Sequence, residues 1–332
     1  MSYIHLHTHS PFSFLDGGSS IEALVSRAAR FEMPALALTD HDNMCAAVKF
    51  DQVSKTAGIK PIQGCEVTLE NGFHLILLAG NSKGYASICE LLTHAHLSNP
   101  RGNPRVAFDD LHKLHDVRIL SGCWRGELAN LIINGRYNEA EQRARTYRSM
   151  FSAENFYIEL QDNFLPGTSR LNYYLLQLAE TLDLQVVASN NVHYAVHEEF
   201  IVHDLLTCVR TLSKVQDIHP ERPINGESYL KSTQQMKELF AYCPGAVENT
   251  LRLADECEPV FKEKTTHFPD FKITNQNLAI YLQHLTFEGA RHRYGRISRQ
   301  VSDRLNHELR VIEKMGFAGY FLAVYDLARY AR

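Results

Sequence analysis

Seventeen histidines occur in 332 residues, and a subset stands beside carboxylates where apolar runs end. His7-Thr8-His9 closes the run at 3–6. Asp40-His41-Asp42 closes the run at 35–39. Glu66 ends 60–67 in QGCEV, and His74 opens the apolar run 73–79. Cys123 follows 117–121 in LSGCWRGE, and Asn191 and His193 follow 185–189 in SNNVHY. Asp16 lies in the loop after the first run. Imidazole, thiolate and carboxylate suit zinc, manganese or iron. So many candidates exceed the needs of one tetrahedral ion, which implies two or three divalent ions close together. Such a cluster brings the pKa of water near neutrality and stabilises both the attacking and the leaving oxygen at phosphorus.

Each piece alone has a plainer explanation. An H-x-H is commonly packing or surface, a lone Cys123 is a small buried hydrophobe, and His74 in an apolar run is a core histidine. Their shared placement at successive strand ends is what joins them. His5, His94, His96, His112, His115 and His203 lack that placement and read as structural or surface residues.

The elements that must position these side chains alternate strand and helix. Strands are expected at 3–6, 35–39, 60–67, 73–79, 117–121, 156–160 and 185–189. A capping box from Ser19 to Glu22 opens a helix to Phe31. Further helices are expected at 45–57, 85–97, 126–134, 138–151 and 168–182. This alternation predicts parallel strands covered by helices, and about seven strands favour a barrel, whose C-terminal strand ends converge on one face. No G-x-G-x-x-G or Walker loop is present, which removes the usual doubly wound nucleotide binders.

After about residue 205 the pattern becomes polar and then helical, with helices at 233–242, 245–257, 278–294 and 297–314 and a linker-like stretch at 259–277. Two domains are therefore expected, at 1–262 and 263–332. The chain stops at YDLARYAR inside an apparent helix, as a fragment of a longer protein would. Arg291, Arg293, Arg296, Arg299 and Arg304 form a basic stretch that suits phosphate contact or, with its interspersed acids, a solvated helix face.

Hydrophobic residues are 45% and charged residues 22% of the chain, ordinary globular usage that excludes a mainly disordered protein. The net charge of −4 does not mark a nucleic-acid binder, so any such role needs a local patch. Seven cysteines without a C-x-x-C argue against a disulfide framework or zinc ribbon and fit a reducing cytoplasm. The apolar runs are too short to cross a bilayer, and MSYIHLHTHS lacks the features of a signal peptide. No membrane partner is expected.

HTHSPFSFLDG, ALALTDHDN, KPIQGCE, FHLILLA, LSGCWRGE and SNNVHY, in this order, resemble the PHP (polymerase and histidinol phosphatase) domain, and more closely the N-terminal part of bacterial DNA polymerase III alpha subunits. The 278–332 segment resembles the stretch leading to the polymerase palm in that family. SFLDGGSS, NNVHY and YCPGAVENT lean toward its error-prone branch. The resemblance implies a distorted (β/α)7 TIM-like barrel with a trinuclear metal centre. It implies that His7, His9, Glu66 and Asn191 hold one ion, that Glu66, His74 and Cys123 hold a second, and that Asp16, His41 and His193 hold the third. It gives Asp40 the role of orienting a histidine. Asn191 stands where an Asp is usual, so the first ion is expected to bind more weakly.

The implied activity is metal-dependent phosphodiester hydrolysis, a 3′–5′ exonuclease acting on a DNA primer end in replication or repair synthesis, with Arg125 a candidate phosphate contact. The alternative is a non-catalytic domain that supports the polymerase or docks a separate proofreading exonuclease or other holoenzyme subunits. A free-standing phosphatase fits less well because of the polymerase-like tail. No carboxylate pair suited to nucleotidyl transfer follows residue 260, so polymerisation itself is not expected of this segment.

Overall fold

The computed structural model describes residues 2–261, 271–272 and 277–331. Compactness divides the chain into two units, Met1–Lys262 and Glu263–Arg332. Most of the linker-like stretch expected at 259–277 lies outside the described residues.

The first unit is built on a six-stranded sheet in sequence order: β1 (Ala35–His41), β2 (Lys60–Thr68), β3 (His74–Ala79), β4 (Val117–Leu120), β5 (Phe156–Gln161) and β6 (Gln185–Ser189). The period-two alternation of strands separates two cores. Ala35 and Ala37 of β1, with Ile76 and Leu78 of β3, join an inner cluster. Leu36 and Leu38, with Leu75 and Leu77, face an outer cluster beneath the helices.

Two expectations about the strands need correction. Residues 3–6 form no regular strand. The N-terminal segment instead fits between the sheet's two ends. Ala37 N donates to His5 O at 2.9 Å and Thr39 N to Thr8 O at 2.8 Å on one side. On the other, Val192 N donates to His7 O at 3.0 Å and His9 N to Val192 O at 2.7 Å. This irregular seventh stave closes the curled sheet into a distorted barrel. The strands are also not all parallel, since β3 runs antiparallel to both β2 and β4. The β2–β3 connection is a short turn through Asn71-Gly72, where Gly72 has φ +82°, and a parallel crossover needs a dozen or more residues. Reversal of β3 brings its first residue, His74, to the same mouth as the last residues of β1 and β2.

Helices α1 (Ile21–Arg30), α2 (Ala47–Thr56), α3 (Ser82–Ser98), α4 (Glu127–Ile133), α5 (Tyr137–Phe151) and α6 (Thr168–Thr181) follow their strands. The cap of α1 is Ser20, which accepts from Ala23 N at 3.2 Å, not Ser19. The Ser19 hydroxyl bonds the Glu199 carboxylate instead, and Glu22 pairs with Lys49 at 2.9 Å. Helix α7 (Phe200–Thr211) is not among the helices expected from the sequence. After it come α8 (Thr233–Leu239) and α9 (Pro244–Glu256). Helix α9 plugs the mouth opposite the histidines. Its Leu253 and Ala254 join the inner cluster, its Thr250 Oγ1 accepts from Ile4 N at 3.3 Å, and Lys60 Nζ donates to Ala254 O at 2.6 Å.

The second unit contains α10 (Leu278–Tyr294), α11 (Arg299–Lys314) and α12 (Ala318–Tyr330) around Leu282, Ala318 and Leu322. Its basic stretch is exposed. Arg299 and Arg304 pair with Asp303 and Glu308 on the same helix face, which neutralises part of it.

Candidate metal centre

His7 and His9 leave the N-terminal stave where it bends, and with Glu66 of β2 they are fully buried. His7 Nε2 lies 2.7 Å from Glu66 Oε2 and 3.1 Å from His9 Nε2. His9 Nε2 lies 3.2 Å from the same carboxylate oxygen and 3.0 Å from Asn191 Oδ1. Behind the rings, His7 Nδ1 donates to Glu159 Oε1 at 2.8 Å, and His9 Nδ1 meets Ser13 Oγ at 3.0 Å. The Glu159 bond assigns the proton to His7 Nδ1 and leaves the Nε2 lone pair facing Glu66 and His9. Acceptors converging in this way repel unless a proton or a cation lies among them.

The other oxygen of Glu66 serves a second group. His74 Nδ1 contacts Glu66 Oε1, and His41 Nδ1 lies 3.8 Å from it. His41 Nε2 is 3.1 Å from Asp16 Oδ2. His193 Nε2 is 3.0 Å from that same Asp16 oxygen, with its Nδ1 2.8 Å from the Asn191 carbonyl. The His9 ring stacks on His41 and His193, with centroids 4.4 and 4.6 Å apart. Asn191 adopts φ +43°, a left-handed kink that Asn and Asp tolerate better than most residues, and the kink ends β6 so that 191 and 193 both reach the site. Gly122 supplies the matching turn after β4. At φ +86° an added Cβ would stand 2.5 Å from the His74 carbonyl.

The electrostatics pull in opposite directions. Burial opposes charge on His7, but Glu159 and Glu66 outweigh it and push its pKa up to about 10. Burial and the neighbouring His41 and His193 hold His9 well below the usual imidazole range. Glu66 and Asp16 are buried, which favours the neutral acid, yet the surrounding histidines keep both well below the usual carboxylate range. Burial, then Glu66 and Glu159, push the Cys123 thiol up.

Not every expected residue joins these groups. Among the described residues, the tight sets of potential ligand atoms are His7, His9 and Glu66; His41, Glu66 and His74; His9, His41 and His193; and Asp16, His193 and His203. Cys123 is buried and lines the same cavity, but it stands outside these sets, and its Sγ accepts from Arg125 N at 3.4 Å. Asp40 spends its carboxylate on serines rather than on a ring nitrogen. Its carboxylate accepts from Ser10 N at 2.7 Å, Ser10 Oγ at 2.7 Å, Ser13 N at 3.1 Å and Ser13 Oγ at 2.7 Å. It therefore acts on His9 only through Ser13. Arg125 is exposed at the cavity rim.

Three residues escaped the sequence reading. FYIELQ reads as an ordinary buried strand, which hides Glu159, although an acid two residues before its polar last residue, Gln161, is a signal. Gln161 Nε2 supports it by donating to Glu159 Oε1 at 2.8 Å. Of the two roles expected for His203, structural or surface, it takes the first, but at the site itself: it is buried, and its Nδ1 donates to the Asp16 carbonyl at 2.7 Å.

The donor set fits divalent ions of the zinc, manganese or iron type. Nitrogen and oxygen acceptors converge, and among the described residues the one permanent cation within 4 Å of the carboxylates of Asp16, Glu66 or Glu159 is Arg210, 3.6 Å from Asp16 Oδ1. No helix among the described residues is long and apolar enough to cross a membrane.

Comparison with known proteins places these features. Residues 5–163 match the family model of the PHP domain, and residues 280–332 match that of the bacterial DNA polymerase III alpha NTPase domain. An error-prone DNA polymerase of Symbiobacterium thermophilum is 47% identical over 350 residues, covering 100% of this chain and 32% of the relative. A DNA polymerase III subunit alpha of Treponema pallidum is 37% identical, covering 100% of this chain and 30% of the relative. An error-prone DNA polymerase of Cutibacterium acnes is 34% identical, covering 99% and 30%. The chain thus spans about a third of the length of the curated relatives it matches. Residues 5–163 thus carry a PHP domain, and over its whole length the chain is similar to part of the error-prone DNA polymerases and DNA polymerase III alpha subunits of bacteria.

Proposed function

We propose that residues 1–262 are a metal-dependent phosphodiesterase module of a bacterial C-family DNA polymerase, acting as a 3′–5′ exonuclease on a primer end during replication or repair synthesis. Residues 263–332 lead into the polymerase region, and the exposed Arg291, Arg293 and Arg296 contact DNA phosphates. The observation that carries the hydrolytic reading is the convergence of His7, His9, His41, His74 and His193 on the carboxylates of Glu66 and Asp16.

In this reading His7, His9, Glu66 and Asn191 hold one ion, Glu66, His74 and Cys123 a second, and Asp16, His41 and His193 a third. Bound ions of this class lower the pKa of water and stabilise the attacking and leaving oxygens at phosphorus. The chain's own residues do the positioning. Glu159 holds the His7 tautomer, and Asp40 fixes the Ser10–Ser13 turn that seats His9. Arg125 at the rim meets substrate phosphate. The cysteines are all free, in keeping with a cytoplasmic protein that works with DNA and other holoenzyme subunits.

A second reading has the metals serve stability while the domain docks a proofreading exonuclease. It draws on Asn191, whose amide brings no charge to the first ion. Metal analysis of the purified chain, beside hydrolysis of a 3′-labelled single strand with zinc or manganese, separates the two. Chelator-sensitive cleavage supports the nuclease. Bound metal without cleavage supports the docking role.

A further inference from the structure

Arg210, next to last in α7, lines the cavity in front of Asp16 with part of its bonding capacity unused. Its Nη1 donates to Glu221 Oε2 at 2.5 Å. Its Nη2 approaches Asp16 Oδ1 at 3.6 Å. Its Nε is buried and has no hydrogen-bond partner. Arg222 offers the contrast in the same wall. Its Nε and Nη2 donate to both oxygens of Asp204 at 2.8 and 2.6 Å, and its Nη1 donates to the carbonyls of Val215 and Asp217, each at 2.6 Å. Arg222 is fully committed to pinning the 213–229 loop onto α7, and Arg210 is not.

The placement of Arg210 follows the division of labour in Asp16. Oδ2 of that carboxylate faces His41 and His193, while Oδ1 faces Arg210. The guanidinium therefore stands beside the group expected to hold an ion, on the cavity side. A planar guanidinium matches the oxygens of a phosphate. Its present partner is suited to leave, because the Glu221 side chain is 43% exposed and water can take over its solvation.

We propose that Arg210 binds the phosphate of a nucleic-acid substrate, and that Glu221 holds this place until the substrate enters; the proposal rests on the hydrolytic reading above. A non-bridging phosphate oxygen accepts from Nη1 in place of Glu221, and the displaced carboxylate turns into solvent. No covalent bond changes in the exchange. Glu221 keeps the arginine neutralised between turnovers, so that ligands binding the guanidinium less well than phosphate do not displace it.

The chain's single tryptophan, Trp124, lines the same cavity and is 51% exposed, so its fluorescence reports ligand entry. The full chain, with metal content measured in parallel, is titrated with a thymidine dinucleotide joined by a phosphorothioate and, separately, with inorganic phosphate. Arg210→Ala is expected to weaken dinucleotide binding by about tenfold or more, as loss of a charge-assisted hydrogen bond does, with metal content unchanged. Arg210→Lys recovers part of the loss, and Glu221→Gln tightens binding. The proposal is overturned if the wild-type chain does not bind the dinucleotide, if Arg210→Ala leaves its affinity unchanged, or if Glu221→Gln weakens it. An effect confined to inorganic phosphate overturns the nucleic-acid assignment. Shifts in affinity as expected, in a chain that cleaves no strand, would remove the hydrolytic reading and leave the phosphate site standing.

Discussion

His7 and His9 are fully buried, whereas the His41 side chain is 26% exposed, although all three rings gather around Glu66. The inner half of the site is locked from behind. Glu159 holds His7, and Ser13, itself held by Asp40, holds His9. The outer half, with Asp16, His41 and His193, opens on the cavity and borders Arg210. Under the proposed function, the difference separates two tasks that a metal-dependent hydrolase must combine. Ligands excluded from water hold an ion at fixed geometry, and ligands beside a cavity leave room for substrate. Glu66 joins the halves by turning one oxygen to each.

The sharpest way to break this division is to remove the shared carboxylate. Glu66→Ala is expected to reduce both metal content and strand hydrolysis to background, and a chelator is expected to do the same to the unaltered chain. Elemental analysis and cleavage of a labelled strand measure the pair, and full metal content in an inactive variant would contradict the ligand assignment.

An inner-half change should act on affinity alone. Glu159→Ala frees the His7 tautomer and should cost about 10–100-fold in metal affinity, the usual effect of losing a hydrogen-bond partner behind a ligand. Competition with a chelating dye reads it. Unaltered affinity in Glu159→Ala, which leaves Nδ1 without the Glu159 acceptor, would show that the tautomer is not what Glu159 controls.

Acid should weaken the metal-free fold from both sides of the barrel. Burial lowers His5 to about 3 and His203 to about 4, so both stay neutral when folded but take a proton on unfolding below about 6.5. The unfolded chain then binds more protons, and each histidine removes about 1.4 kcal/mol of stability per pH unit as pH falls from 6.5 toward its folded value. His7 works in the opposite sense. Its contribution is complete below about 6.5 and is lost as pH rises toward about 10. Thermal melts of the chelated chain should therefore peak near neutrality, and a melting temperature level down to pH 4 would contradict the burial argument.

The smallest effect is expected at position 191. Asn191→Asp keeps a residue tolerant of φ +43° and adds charge to the inner half, which should tighten its ion by up to about tenfold, since ligand charge tunes affinity. Unchanged occupancy at limiting metal would remove residue 191 from the ligands.

Much of this arrangement could be read from the sequence because metal ligands need special residue types and strand ends leave a polar mark on an apolar run. His7, His9, His41 and His193 were visible for that reason. His74 was placed at the right mouth by its neighbours, although the reversal of β3 that puts it there was not foreseen. The signal was the Asn71-Gly72 turn, too short for a crossover. His203 and Glu159 were missed because they act by holding other residues, and such roles depend on which segments meet in space. The N-terminal stave reads as a strand because residues 3–6 form a short apolar run, yet it joins two sheet ends that each offer only part of a ladder.

The most direct test is metal analysis of the purified chain and of His9→Ala, run beside hydrolysis of a 3′-labelled single strand with zinc or manganese. Two or three ions per chain, with chelator-sensitive cleavage that disappears in the variant together with metal, is the predicted result. A chain that binds no divalent ion, or a His9→Ala variant that keeps every ion and full cleavage, would contradict the account.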